Sequence, residues 1–180
     1  LRQSNAVFEH VKAVSGLISE LMNDVKDMPD AIGVSTKPRD VAGSYMPCFK
    51  VGESVAKSIS AVLKVPCYEV SHQSGHIVSA LFSSDRIDLL NQRFLAFHVS
   101  GGTTEAVLVE PDEENIIKTE IVAKALDLNA GQLVDRVGKM LGLGFPSGKE
   151  LEKLASVYAG NIKVTPSMKE NDCNFSGIEN

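Results

Sequence analysis

Between residues 5 and 24 the apolar side chains Val7, Val11, Val14, Leu17, Ile18 and Leu21 fall at steps of three and four, which predicts an amphipathic helix that packs against a sheet. DAIGVST (30–36) reads as a short buried strand, and KPRDVAGSYMP after it as a loop or turn. Val55, Ile59, Val62 and Leu63 give CFKVGESVAKSISAVLK a second helical stripe. VPCYEV (65–70) is the next predicted strand, and the apolar segment VSHQSGHIVSALFSS (70–84) carries the next helix. This alternation of helix and strand is the signature of an α/β lobe.

DRIDLLNQR (85–93) is polar and charged enough to be a surface connection between lobes. FLAFHVSGGTTEAVLVE then predicts strand, glycine turn and strand, because apolar runs flank SGGTT. PDEENI is an acidic turn, and IIKTEIVAKAL a further strand. A helix at about residues 130–142 has Leu133, Val134, Val137, Met140 and Leu141 as apolar positions; GLGFPSG ends it, and KELEKLASVYAG is another short helix. The expected organisation is a first α/β lobe over residues 1–92 and a second over 93–180.

Composition narrows the class. With 180 residues, 43% hydrophobic and 23% charged, the chain has room for one substantial core or two small lobes, and neither disorder nor a fibrous class is indicated. No apolar run approaches the roughly 18 residues a membrane span needs, and no basic segment leads into an apolar core and cleavage site, so a cytoplasmic location is expected. Cys48, Cys67 and Cys173 are odd in number and widely spaced, as reduced structural thiols would be. A net charge of −5 opposes phosphate binding and argues against a stand-alone nucleic-acid binder, though not against an enzyme that meets RNA through a partner. Opening on Leu1 and closing on NFSGIEN, the sequence is expected to be part of a longer protein.

Three features could carry chemistry. His72 and His76 are four residues apart, slightly more than one helical turn, so both rings project from one face and could share one metal ion. A bare H-x-x-x-H is also what two solvated or packed helix histidines look like, and Gln73 stands where a zinc protease has its general-base glutamate. SGGTT (100–104) could cradle a phosphate: Gly101 and Gly102 permit close backbone approach, while the hydroxyls of Ser100, Thr103 and Thr104 and the turn N–H groups donate. A plain hairpin turn is the alternative. Asp135 interrupts an apolar helix face, and GLGFPSG, with Gly148 and then Glu152, suits a loop around ribose and phosphate; a solvated Asp135 and a helix cap at Gly144 would look the same. His98, two residues before Ser100, is either a satisfied strand histidine or a third ligand beside His72 and His76.

Taken in order, these motifs resemble the TsaD, or glycoprotease, family of tRNA threonylcarbamoyladenosine synthases. SHQSGH is similar to that family's N-H-x-x-G-H, HVSGGTTE to V-S-G-G-x-T-x, LDLNAGQLVDRVGKMLGLGFPSG to L-D-x-A-x-G-E-x-x-D-K-x-x-x-x-L-G-L-x-Y-P-G-G, and NFSGI to F-S-G-L. The resemblance implies a two-lobed actin-like ATPase (ribonuclease H-like) α/β fold, here incomplete at both ends. It implies one divalent metal, iron or zinc, on His72 and His76, with His98 at the position where some members add a tyrosine ligand. ATP or threonylcarbamoyl-adenylate contacts map onto Ser100, Gly101, Gly102, Thr103, Asp135, Gly148 and Glu152. The implied reaction passes a threonylcarbamoyl group to N6 of adenosine 37 in tRNA (t6A synthesis), with partner proteins of that pathway, a dimer left open, and no catalytic residue assigned.

Departures from the pattern lie near the expected substrate side. The family's opening strands with their first phosphate loop and its C-terminal acidic ligand have no counterpart; Gly-Pro-Gly after the first strand reads KPRD (37–40); Ser74 replaces the acid between the histidines; Gln132 replaces the glutamate of A-G-E; and Ser147 the middle residue of P-G-G. A divergent paralogue is therefore implied, and a non-catalytic scaffold of the same fold is the alternative reading. The retained histidine pair tilts toward the enzyme. A sugar or acetate kinase of the superfamily, or a metallopeptidase, fits the residues less well.

Overall fold

The computed structural model describes residues 2–165 and 167–179. The chain is mixed α/β and divides into two compact units, the first made of residues up to Gln92 with Glu110–Lys118, the second of Arg93–Val109 with the residues from Thr119 onward.

In the first unit the predicted alternation is present as α1 (Gln3–Asp24), β1 (Ile32–Lys37), α2 (Phe49–Leu63), β2 (Cys67–Ser71) and α3 (His72–Ser83). β1 and β2 pair in parallel, from Ile32 opposite Cys67 to Ser35 opposite Val70, as a strand–helix–strand crossover requires. The register then shifts between Ser35 and Lys37. That irregularity ends regular pairing where the Lys37–Asp40 segment leaves the sheet, and β2 runs without a linker into α3. The predicted connection at 85–93 contains a 3-10 turn, Ile87–Asn91. None of the described residues of α1 is buried; Phe8, Val11, Leu17 and Leu21 are each more than half exposed.

β3 (Phe94–Val99), β4 (Thr104–Asp112) and β5 (Ile116–Lys124) follow in that order across one sheet, which belongs to the second unit except for Glu110–Lys118, the end of β4 and the start of β5 with the turn between them. β3 and β4 pair antiparallel with Val99 opposite Thr104, leaving Ser100–Thr103 as the hairpin turn. Alternation along β4 buries Glu105, Val107 and Val109, which with Ile117 and Leu128 are among the most enclosed side chains. The predicted turn at PDEENI is shorter than expected. β4 continues to Asp112, whose carboxylate accepts from the N–H groups of Glu114 and Asn115 at 3.0 and 2.7 Å and so closes the turn in three residues.

α4 (Ala130–Met140) and α5 (Gly148–Ser156) follow, the latter ending four residues before the predicted Gly160. A two-stranded ribbon, β6 (Ser167–Lys169) with β7 (Asp172–Asn174), and a final 3-10 turn at Ser176–Glu179 have no counterpart in the hydrophobic pattern, being too short to show a period. Among the described residues no helix is long and apolar enough to cross a membrane.

Candidate functional site

The first cluster is built by the junction of β2 and α3. Ser71 caps the helix, its Oγ accepting from the Ser74 N–H at 3.0 Å. The rest of the first turn faces inward, with Ser71, Gln73 and Ser74 buried, while His72 and His76 face outward and are exposed. Their Nε2 atoms stand 3.0 Å apart, and the edge of His72 meets the Phe49 ring at a centroid distance of 5.7 Å. The packed-histidine alternative is thereby removed.

The 3.0 Å separation is that of an N–H···N hydrogen bond between the two rings; two nitrogens each about 2.1 Å from one ion are about 3.0 Å apart at a right angle and about 3.4 Å apart at the tetrahedral angle, so the same spacing is compatible with adjacent positions on one divalent cation. Two imidazoles are an incomplete set. Among the described residues no group of three or more His, Cys, Asp or Glu side chains is gathered closely enough to hold a metal ion, so remaining positions would fall to water, substrate or further donors.

Asp40 was not marked by spacing, yet it is the carboxylate at this junction. Its Oδ2 accepts from Ser71 Oγ at 2.8 Å and from Ser74 Oγ at 2.6 Å, and its Oδ1 lies 3.0 Å from Lys37 Nζ. Burial pushes this carboxyl up, but the hydroxyl of Ser74, the ammonium of Lys37 and the hydroxyl of Ser71 outweigh it and hold Asp40 below the ordinary aspartate value.

In the second unit, His98 sits directly across from Glu105 in the β3–β4 ladder, with Nδ1 3.6 Å from the buried Oε1. This places His98 on the inward side of its strand, beside a carboxylate. Ser100 organises the turn that follows. Its N–H donates to Thr103 O at 2.7 Å, and its Oγ accepts from the N–H groups of Gly102 and Thr103 at 3.2 and 3.0 Å. Gly101 and Gly102 are exposed, and a Cβ added at either would meet nothing within 4 Å. The turn thus presents an open face whose two N–H donors are held by a hydroxyl that an anion could displace.

The start of α4 packs against the back of this turn. Ala130 N–H donates to Thr104 Oγ1 at 2.8 Å and Gly131 N–H to Ser100 O at 3.2 Å. Asn129 caps the helix in a capping box with Gln132, whose Oε1 accepts from the Asn129 N–H at 3.3 Å; the amide at 132 performs the capping that a glutamate would. Asp135 is structural as well as polar: its Oδ1 accepts from the Ser147 N–H at 2.9 Å and so fixes the entry to α5. Buried Ser147 packs on Gly138, where any larger residue would collide with it. Gly148 opens α5, and Glu152 stands exposed one turn further along.

A second unforeseen carboxylate, Asp127, ties NFSGI to this loop. It accepts from Ser176 Oγ, from the Phe175 N–H at 2.9 Å and from the Ser176 N–H at 3.2 Å. The Ser176 hydroxyl and the Phe175 N–H, helped by the N–H groups of Leu128 and Ser176, outweigh desolvation and hold this carboxyl well below the usual range. A depressed folded value means that the anchoring is fully present above the ordinary value near 3.8 and is lost as pH falls through the folded one. Protection of the Phe175 and Ser176 amides, relative to their intrinsic exchange rates at each pH, is therefore expected to be high at neutral pH and to fall only in strong acid, with Asp127→Asn poorly protected at both. Equal protection in the variant would show that the clamp does not hold the segment.

Comparison with known proteins came out uniformly. The family model described as TsaD, tRNA N6-adenosine threonylcarbamoyltransferase, matches residues 4–180. Curated proteins named tRNA N6-adenosine threonylcarbamoyltransferase are similar at 33% identity over 94% of this chain and 47% of the relative in Enterococcus faecalis. In Ligilactobacillus salivarius the figures are 32%, 94% and 48%, and in Syntrophotalea carbinolica 32%, 95% and 48%. The chain spans about half the length of these relatives.

Proposed function

The chain belongs to the TsaD family of tRNA N6-adenosine threonylcarbamoyltransferases, and from that premise we propose that the full-length protein transfers a threonylcarbamoyl group from threonylcarbamoyl-adenylate to N6 of adenosine 37 in tRNA. The observation that carries this reading is the outward-facing pair of imidazoles, 3.0 Å apart, on the motif where the family expects its metal. His72 and His76 would hold one divalent ion, iron or zinc, which when bound supplies a Lewis acid for an oxygen of the threonylcarbamoyl group. The paired ligands favour an enzyme over a scaffold.

The turn supplies the rest of the chemistry. Once Ser100 Oγ gives way, the N–H groups of Gly102 and Thr103 can donate to the adenylate phosphate, and the open faces of Gly101 and Gly102 let that phosphate approach. The N6 amine attacks the carbamoyl carbon, forming the N–C bond as the bond from that carbon to the phosphate oxygen breaks. AMP departs with its new charge on the turn donors, and the amine proton passes to solvent. Asp135 keeps Ser147 and Gly148 in place beside the nucleotide, with Glu152 available to its ribose. A further ligand role for His98 would fall to its Nε2, since Nδ1 faces Glu105 at 3.6 Å. Action in the cytoplasm, with partner proteins of the t6A pathway docking on the exposed apolar face of α1, belongs to the same proposal.

The test is transfer of labelled threonylcarbamoyl from its adenylate to unmodified tRNA by the full-length, metal-loaded protein. Gly102→Val is expected to cut transfer by about 10²-fold or more, the scale of losing an oxyanion donor, without lowering the melting temperature, since the added side chain meets only open space. No label from the wild-type protein would end the reading, and normal transfer by the variant would remove the phosphate from this turn.

A further inference from the structure

We propose that Asp40 is a positioning residue for the histidine pair: its carboxylate locks the first turn of α3 and so fixes the direction in which His72 is presented. The inference rests on reading His72 and His76 as a cation pair.

An ordinary helix start needs no such group. Ser71 already caps α3 by accepting from the Ser74 N–H, as a serine N-cap does. Asp40, brought from 31 residues upstream of Ser71, adds a layer to that cap. Its Oδ2 receives both the Ser71 hydroxyl at 2.8 Å and the Ser74 hydroxyl at 2.6 Å, so the residue before His72 and the residue two after it converge on one oxygen. The residue between them is tied to the same loop, Gln73 N–H donating to Pro38 O at 3.1 Å.

Ser71, Gln73 and Ser74 are all nearly inaccessible, and His72 is the one exposed member of that turn. Three neighbours held from behind leave its backbone little freedom. A carboxylate at a helix N-terminus also complements the partial positive charge of the free N–H groups, and Lys37 holds its other oxygen at 3.0 Å. Ser74 Oγ lies 2.6 Å from Asp40 Oδ2, so the two positions touch and a carboxylate at either would reach the same turn.

The same contact makes the idea testable by transposition. In the full-length protein, Asp40→Asn is expected to weaken zinc binding about tenfold, the lower end of the loss seen when groups that orient metal ligands are removed. It should also speed amide exchange across residues 72–75. Adding Ser74→Glu to Asp40→Asn returns a carboxylate to the turn and is expected to restore most of the affinity, which a merely destabilised fold would not do. Unchanged zinc affinity and unchanged exchange in Asp40→Asn would overturn the proposal, as would a loss that Ser74→Glu leaves uncorrected. Should the wild-type protein bind no zinc while Asp40→Asn still loosens the turn, the lock stands and the cation reading of the histidines falls.

Discussion

The wild-type full-length protein is expected to purify with about one equivalent of iron or zinc by elemental mass spectrometry, and the variant with both His72→Ala and His76→Ala without it. The expectation follows from geometry. Paired Nε2 atoms at 3.0 Å have the spacing of neighbouring ligands on one ion, and neither ring is packed into the core. Because both side chains are exposed, their removal should cost within about 0.5 kcal/mol of stability, so an unchanged melting curve is the control that separates lost ligation from lost fold. Threonylcarbamoyl transfer should fall with the metal. Metal content equal to wild type in the double variant would dispose of the site, and absence of metal from both proteins would return the histidines to solvated helix residues and favour a scaffold.

That pair was legible in the sequence because ligand spacing on a helix is local: four residues put two rings on one face whatever the rest of the chain does. The alternation of helices and strands in the first unit was legible for the same reason, as was the glycine turn between β3 and β4. What escaped was set by contacts between distant residues. Asp40 reads as one more polar residue of a loop, and its meaning appears only when the shifted register after Ser35 delivers the loop to the start of α3. Asp127 looks like part of a motif, but the partners that hold it, Phe175 and Ser176, lie 48 and 49 residues away. Asp135, which the family resemblance maps as a nucleotide contact, also accepts from the Ser147 N–H, a role no periodicity announces. The short ribbon of β6 and β7 is likewise held by pairing and not by pattern.

Gly131 shows the same limit and yields the second large prediction. A Cβ at this position would stand 2.6 Å from Gly101 N and from Ser100 C, and 2.7 Å from Ser100 O. These are backbone atoms, which cannot rotate aside as a flexible side chain could, so either the start of α4 or the SGGTT turn must move. Moving either strains the bonds from Gly131 N–H to Ser100 O and from Ala130 N–H to Thr104 Oγ1. Gly131→Ala should therefore cost about 1–3 kcal/mol, the scale of overpacking, and lower the melting temperature by about 4–24 °C for a unit of this size. It should also weaken binding of an adenylate analogue in calorimetry, although Gly131 offers the ligand nothing, because the Gly102 and Thr103 donors shift with the turn. Gly101→Ala is the matching control: its added methyl meets nothing within 4 Å, so stability should hold while the ligand's approach is obstructed. If Gly131→Ala melts with the wild type and binds the analogue as well, α4 does not support the turn, and the phosphate cradle must be sought in another part of the protein.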